Sequence, residues 1–225
     1  GLFGILPDAL NQQIILRPGF PDDWDKASVS TPDISYRFTR KEDTDTYHIT
    51  QRFQTPLHPV LHVNARKEKI RSVKVNGVPA TWQSIESAHG YPLLSIQAEG
   101  TSSTTITIEW EGAPLHTLAV QEPVITSNGK LALQIPSGAS ISQVYDPQSV
   151  LANHTVEATA FNAQIKGEPG HHTFFVYTHQ GEMDWWQPVN IYIENVRESP
   201  SYTDFMQDNE LFDVESRPGK MSGGY

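Results

Sequence analysis

The chain of 225 residues carries 26 acidic and 16 basic side chains, a formal net charge of −10, and no cysteine. That balance excludes the clustered Lys and Arg of a nucleic-acid binder and the polybasic surface that holds a protein on anionic lipid. The missing cysteine excludes disulfides, zinc–thiolate centres and a cysteine nucleophile, and no apolar run approaches the ~18 residues a membrane span needs.

The sequence opens Gly1-Leu2-Phe3-Gly4, without an initiator Met or a basic-then-apolar leader. A lone leading Gly is a common cloning remnant, so the expectation is an excised piece of a longer protein. Beyond it the periodicity is almost all two-residue. Ile34, Tyr36 and Phe38 alternate with polar partners, as do Tyr47, Ile49, Gln51 and Phe53, then Leu61, Val63 and Ala65, then Val73 and Val75. Alternation of this kind predicts half-buried strands, one face inward and one wet. Val73-Lys74-Val75-Asn76-Gly77-Val78 reads as a tight hairpin, because Asn-Gly accepts positive φ at both central positions. Ile106, Ile108 and Trp110 make a good closing strand before Glu111-Gly112-Ala113-Pro114. Past that point Ser127-Asn128-Gly129 predicts a second tight hairpin. Leu131, Leu133 and Ile135, then Phe174 and Val176, then Val189, Ile191 and Ile193 complete the series. No helical stripe precedes residue 200.

These elements predict an all-β chain of two consecutive antiparallel β-sandwich domains, jelly-roll or immunoglobulin-like, over 1–112 and 113–197. An irregular tail or linker follows over 198–225. One larger sandwich is the alternative.

Residues able to carry chemistry are few. His58 and His62 lie four apart on a strand, about 13 Å, too far to share one metal. His171 and His172 are adjacent and so point oppositely. Asp22, Asp23 and Asp25 sit among Pro18, Gly19 and Pro21 in a loop, as solvated acids or a calcium loop, and Glu182 with Asp184 is a second acidic group. No phosphate loop, nucleophile elbow or zinc-helix motif occurs. Neither catalytic residues, metal ligands nor a cofactor are therefore assigned. The aromatics are more telling. Of the neighbours Trp185 and Trp186, an extended chain turns one inward and one outward. An outward Trp flanked by Gln and Asp is a platform for a sugar ring, with Trp82 as a further candidate. The competing reading is one core Trp and one buried at a domain interface.

The stretch Gly1-Leu2-Phe3-Gly4-Ile5-Leu6-Pro7-Asp8-Ala9-Leu10, followed by Ile14-Ile15-Leu16-Arg17-Pro18-Gly19-Phe20-Pro21-Asp22-Asp23-Trp24 and the Val73–Gly77 hairpin, resembles the passage from an α/α six-hairpin barrel into its C-terminal β-sandwich, as in rhamnosidase-like and maltose-phosphorylase-like chains. The block from Gly170 to Phe175 with Trp185–Val189 resembles the end of large Bacteroidetes proteins found beside polysaccharide-degradation systems. The resemblance implies a non-catalytic accessory region of a carbohydrate-active, glycoside hydrolase-like parent, periplasmic or secreted. Its catalytic acids would lie upstream on the barrel, which would be the partner of this region, with polysaccharide as a further possible ligand. It also implies an apolar strip where the barrel packs, with Leu2, Phe3, Ile5, Leu6 and Trp24 as its residues.

Overall fold

The computed structural model describes residues 2–118 and 122–194. The tail expected over 198–225, and the last three residues of the region expected to end at 197, lie outside the described residues.

In chain order the strands are β1 (Ile5–Asp8), β2 (Gln13–Leu16), β3 (Lys26–Ser30), β4 (Ile34–Lys41), β5 (Thr44–Gln51), β6 (His58–Asn64), β7 (Lys67–Val75), β8 (Val78–Pro79), β9 (Gln83–Ser84), β10 (Leu93–Gln97) and β11 (Ser103–Pro114). There follow β12 (Val124–Thr126), β13 (Lys130–Gln134), β14 (Ala139–Tyr145), β15 (Leu151–Val156), β16 (Ala160–Ile165), β17 (Gly170–Gln180) and β18 (Met183–Glu194). The described residues are all-β, as the alternation requires. They form four sheets, ordered β1-β2-β6-β10-β9, β3-β4-β5-β11-β7-β8, β12-β18-β17-β14 and β13-β16-β15. Most pairings are antiparallel, but β2 runs parallel to β6 and β12 parallel to β18. Purely antiparallel sheets were expected. In each case the two parallel partners lie far apart along the chain, so no hairpin joins them.

The first two sheets enclose a core of inward side chains that includes Ile14, Leu16, Phe38, Ile49, Leu61, Leu94, Ile106 and Trp110. One aromatic file runs through it: Phe20 stacks on Phe38 at 5.0 Å and on Tyr36 at 6.2 Å, and Phe38 meets Tyr47 at 5.2 Å. The other two sheets enclose a second core with Leu131, Phe161, Ile165, Phe174, Val176, Val189, Ile191 and Ile193. Burial pushes the Tyr36 and Tyr47 phenols far up, and the Asp45 carboxylate adds to the effect at Tyr47.

Asn76 and Gly77 both hold positive φ, 51° and 80°, and join β7 to β8 as the Asn-Gly pair predicts. The second expected hairpin is corrected. Asn128 does take φ 66°, yet β12 pairs with β18 while β13 pairs with β16. The Ser127–Gly129 turn therefore carries the chain from one sheet of the sandwich to the other. A turn signal fixes local backbone direction and leaves the partner of the next strand to long-range packing.

Candidate functional site

The longest pairing among the described residues is the β17–β18 ribbon, in register from Gly170↔Ile193 to Gln180↔Met183. Its two faces follow from period two. Inward lie Phe174 and Val176 with Val189, Ile191 and Ile193, all in the second core. Toward the tip, Met183 and Trp185 of the same strand face belong to the first core. One strand thus supplies side chains to both cores. The tip is locked by backbone. Glu182 N–H donates to the Glu68 carbonyl at 2.7 Å, Trp186 N–H to the Ala88 carbonyl at 3.0 Å, and Gly90 N–H to the Trp186 carbonyl at 2.8 Å. The Glu68 side chain accepts from Ala113 N–H at 3.1 Å and from the Gln180 amide at 3.4 Å, which holds its carboxyl below the ordinary range.

Where the cores meet, the inward positions turn polar. Buried Gln180 accepts from His116 N–H at 3.1 Å and buried Gln187 from Leu118 N–H at 2.8 Å. Among the described residues, three buried atoms in this stretch, Thr178 Oγ1, Trp185 Nε1 and Gln187 Nε2, have no hydrogen-bond partner. Thr178 and Trp185 are directly opposed in the register.

The outward face of the ribbon is a ladder of cross-strand pairs. Tyr177 meets Trp186 at 4.9 Å, His171 meets Tyr192 at 5.0 Å, and His179 pairs with Asp184 at 2.8 Å. From β14, Tyr145 reaches Phe175 at 6.2 Å and Trp186 at 6.4 Å, and His89 sets its ring edge-on to Phe175 at 5.7 Å. Tyr145 is 58% exposed. Burial raises the Tyr177 hydroxyl pKa, and the carboxylates of Asp184 and Glu86 add to this. The result is an aromatic surface edged by two acids. It can offer ring faces to an apolar ligand surface and oxygen acceptors to hydroxyls.

The residues expected to bind sugar part company here. Trp185 is 1% exposed inside the first core, so it presents no ring face and is corrected from platform to core residue. Trp186 lies on the outward face, half-buried among Tyr145 and Tyr177. Trp82 packs half-buried against the first core, between β8 and β9, rather than joining this aromatic group. Tyr145 and His89 were missed by sequence reasoning. Tyr145 lies on the exposed side of an edge strand and His89 in a loop, where no alternation marks them.

The expected apolar strip is also divided. Leu6 is 52% exposed, and Leu2 and Trp24 are exposed as well. Phe3 and Ile5 instead turn inward, Phe3 edge-on to Phe20 at 5.4 Å and to Tyr36 at 6.2 Å. They are corrected to side chains packed against the chain's own core. Leu10, 97% exposed, extends the outward set.

His58 accepts from Gly100 N–H at 3.1 Å, and His62 accepts from Arg17 Nε at 3.0 Å. The two thus look to separate partners, and burial with the Arg17 charge lowers the His62 pKa. His171 pairs with Glu122 while His172 bonds the Glu168 carbonyl. In the acidic loop, Arg40 takes the carbonyls of Asp22 through Nη1 and of Asp25 through its backbone N–H. Among the described residues no three His, Cys, Asp or Glu side chains are grouped to hold a metal, and no helix is long and apolar enough to cross a membrane.

No family model and no curated protein matches the chain. Among solved structures, the N-terminal periplasmic domain of ScsB from Proteus mirabilis aligns over 76% of this chain and 99% of its own, at 8% identity and a TM-score of 0.19. A likeness that slight carries over neither fold nor function.

Proposed function

We propose that this chain is a non-catalytic β-sandwich region of a larger carbohydrate-active, glycoside hydrolase-like protein, periplasmic or secreted, and that it packs against and orients an upstream helical barrel. The observation that supports this reading is the set of exposed large apolar side chains Leu2, Leu6, Leu10 and Trp24 within the first 24 residues. Exposed apolar side chains of this size cost solubility in isolation and are ordinary where another domain covers them. Strand β1 is the edge of its sheet, and among the described residues no strand pairs beyond it.

The test compares the 225-residue chain with the intact parent by hydrogen–deuterium exchange. Amides of residues 5–16 should exchange more slowly in the parent. Leu6→Asp with Leu10→Asp should lower the stability of the parent while changing that of the separate chain by no more than the usual surface range of about 0.5 kcal/mol. Equal exchange in the two proteins, or a native gene beginning at Gly1, would sink the proposal.

A second reading has its own support, in the outward aromatic face around Trp186. It makes the region a carbohydrate-binding module. Titration of a broad oligosaccharide panel should then change tryptophan fluorescence in the wild type and not in Trp186→Ala. A panel without response removes this reading and leaves the first untouched.

A further inference from the structure

At one mouth of the first sandwich a cleft of about 420 Å³ opens between the sheets. Its walls are Phe20, Phe38, Tyr47, Tyr91 and Leu115, and its charged lining is Asp22, Arg40, Asp45 and Arg66. The floor is built around Asp45, which is 1% exposed. Its Oδ1 accepts from Arg40 Nε at 2.9 Å and Arg66 Nη1 at 3.0 Å, and its Oδ2 from Trp110 Nε1 at 3.1 Å. Among the described residues, Asp45 is the one buried carboxylate between the two guanidinium groups; the Asp22 carboxylate, which would balance the second, lies on an exposed loop where solvent and salt screen its charge.

The remaining bonds orient the arginines without cancelling their charge. Arg40 lies over the Phe38 ring at 5.2 Å and donates Nη1 to the Asp22 carbonyl; Arg66 donates both terminal nitrogens to the Glu42 carbonyl. Among the described residues, Arg40 Nη2 and Arg66 Nε keep hydrogens without a protein acceptor. Fixed, partly desolvated guanidinium donors recognise carboxylates more strongly than mobile surface lysines do. The aromatic walls favour a ligand whose carboxylate is borne on a ring with an apolar face. The volume of the open cleft is in the range of small-ligand sites.

We infer that this cleft is a binding site for a monoanionic carboxylate carried on a six-membered ring, an acidic sugar or an aromatic acid. The arginines meet the carboxylate, and Phe20 and Tyr91 meet the ring. The site is separate from the Trp186 face and stands whether or not the region packs on a barrel.

The test titrates the full chain with sodium glucuronate, sodium benzoate, sodium acetate and glucose. The Trp110 indole N–H resonance, which reports on Asp45, follows occupancy. A saturable shift with a dissociation constant of about 1 mM is the expectation for at least one ring acid, and the acid that gives it identifies the source. Glucose should give no shift. Arg66→Gln should weaken the binding at least tenfold. Tyr91→Ala, an exposed position that leaves the Asp45 network whole, should weaken the ring acid severalfold and leave the feebler response to acetate unchanged. No saturation by either ring acid up to 50 times the expected constant overturns the assignment. So does a response to glucose equal to that of the acids, or affinity indifferent to Tyr91→Ala.

Discussion

Replacing Gly181 by Ala tests how tightly the ribbon tip is seated. Gly181 holds φ +62°, and a Cβ added there would lie 2.4 Å from the Glu68 carbonyl oxygen and 2.7 Å from the Glu68 Cβ. The left-handed backbone costs a side-chain-bearing residue about 1–2 kcal/mol. The collision is with backbone, so the tip must also retreat. Retreat stretches the 2.7 Å bond from Glu182 N–H to that same carbonyl, worth about 1 kcal/mol net. The sum is about 2–3 kcal/mol, before any loss of packing around Met183. Gly138→Ala is the control. It shares the positive φ, at +84°, with nothing within 4 Å of the added carbon, so only the backbone cost of about 1–2 kcal/mol applies. Urea melts of the two variants and the wild type give both numbers. Equal losses would mean that the tip does not press on Glu68, and the account of a ribbon locked into the first sandwich would fail.

The adjacent tryptophans should behave oppositely: Trp185→Ala should cost about 3–5 kcal/mol as a cavity in the first core, and Trp186→Ala only about 1 kcal/mol as the loss of aromatic contacts at a half-exposed site, both read from denaturant melts. Asp45→Asn should cost about 3 kcal/mol, at the low end for breaking a buried ion pair, because both arginines keep some contact with solvent; a thermal melt within 1 kcal/mol of wild type would show the network to be ornamental. Acid should weaken the fold in two steps. His62 has a folded pKa depressed below its ordinary 6.5, so the unfolded chain takes up the proton first and stability falls as pH drops below about 6.5. Glu68 is likewise depressed below its ordinary 4.5, so its contribution is present above that value and lost as pH falls through it toward the folded pKa. His62→Gln should flatten the upper step and Glu68→Gln the lower in melting temperature against pH, and a stability that rises between pH 6.5 and 5.5 would contradict the assignment to His62.

The all-β class was legible because burial and alternation are the same fact seen twice. Tyr36, Phe38, Ile49, Val63, Ile106 and Ile108 were named from spacing and are all buried. Equally regular runs went unread where polar residues intervene, as in Phe161-Asn162-Ala163-Gln164-Ile165, whose odd members line the second core. Strand β15 could not be found in this way. Nearly all of its residues are exposed, so an edge strand with little core face leaves no apolar rhythm. Pairing was less legible still. Nothing in Val124-Ile125-Thr126 says that it joins β18 in parallel, because the partner lies far along the chain and is chosen by packing. The cleft eluded the sequence for a related reason: Arg40, Asp45 and Arg66 look like ordinary surface charges until the topology closes three strand ends around one another.

The glutamines show where the two cores are joined and why the join is polar. In a ribbon that buries one face from end to end, period two calls for apolar side chains at every inward position. Thr178, Gln180 and Gln187 break that rule while remaining buried. The connection after β11 has to pass beneath them, and its backbone amides at His116 and Leu118 have no strand to pair with. A buried amide left without an acceptor costs about 1–3 kcal/mol, and a glutamine carbonyl reaching out of the ribbon removes that cost at each of the two places. An apolar residue at 180 or 187 would pack as well and strand a backbone donor. Polar interruptions in an otherwise alternating strand therefore mark the passage of another segment of chain, and here they mark the passage from the first core to the second.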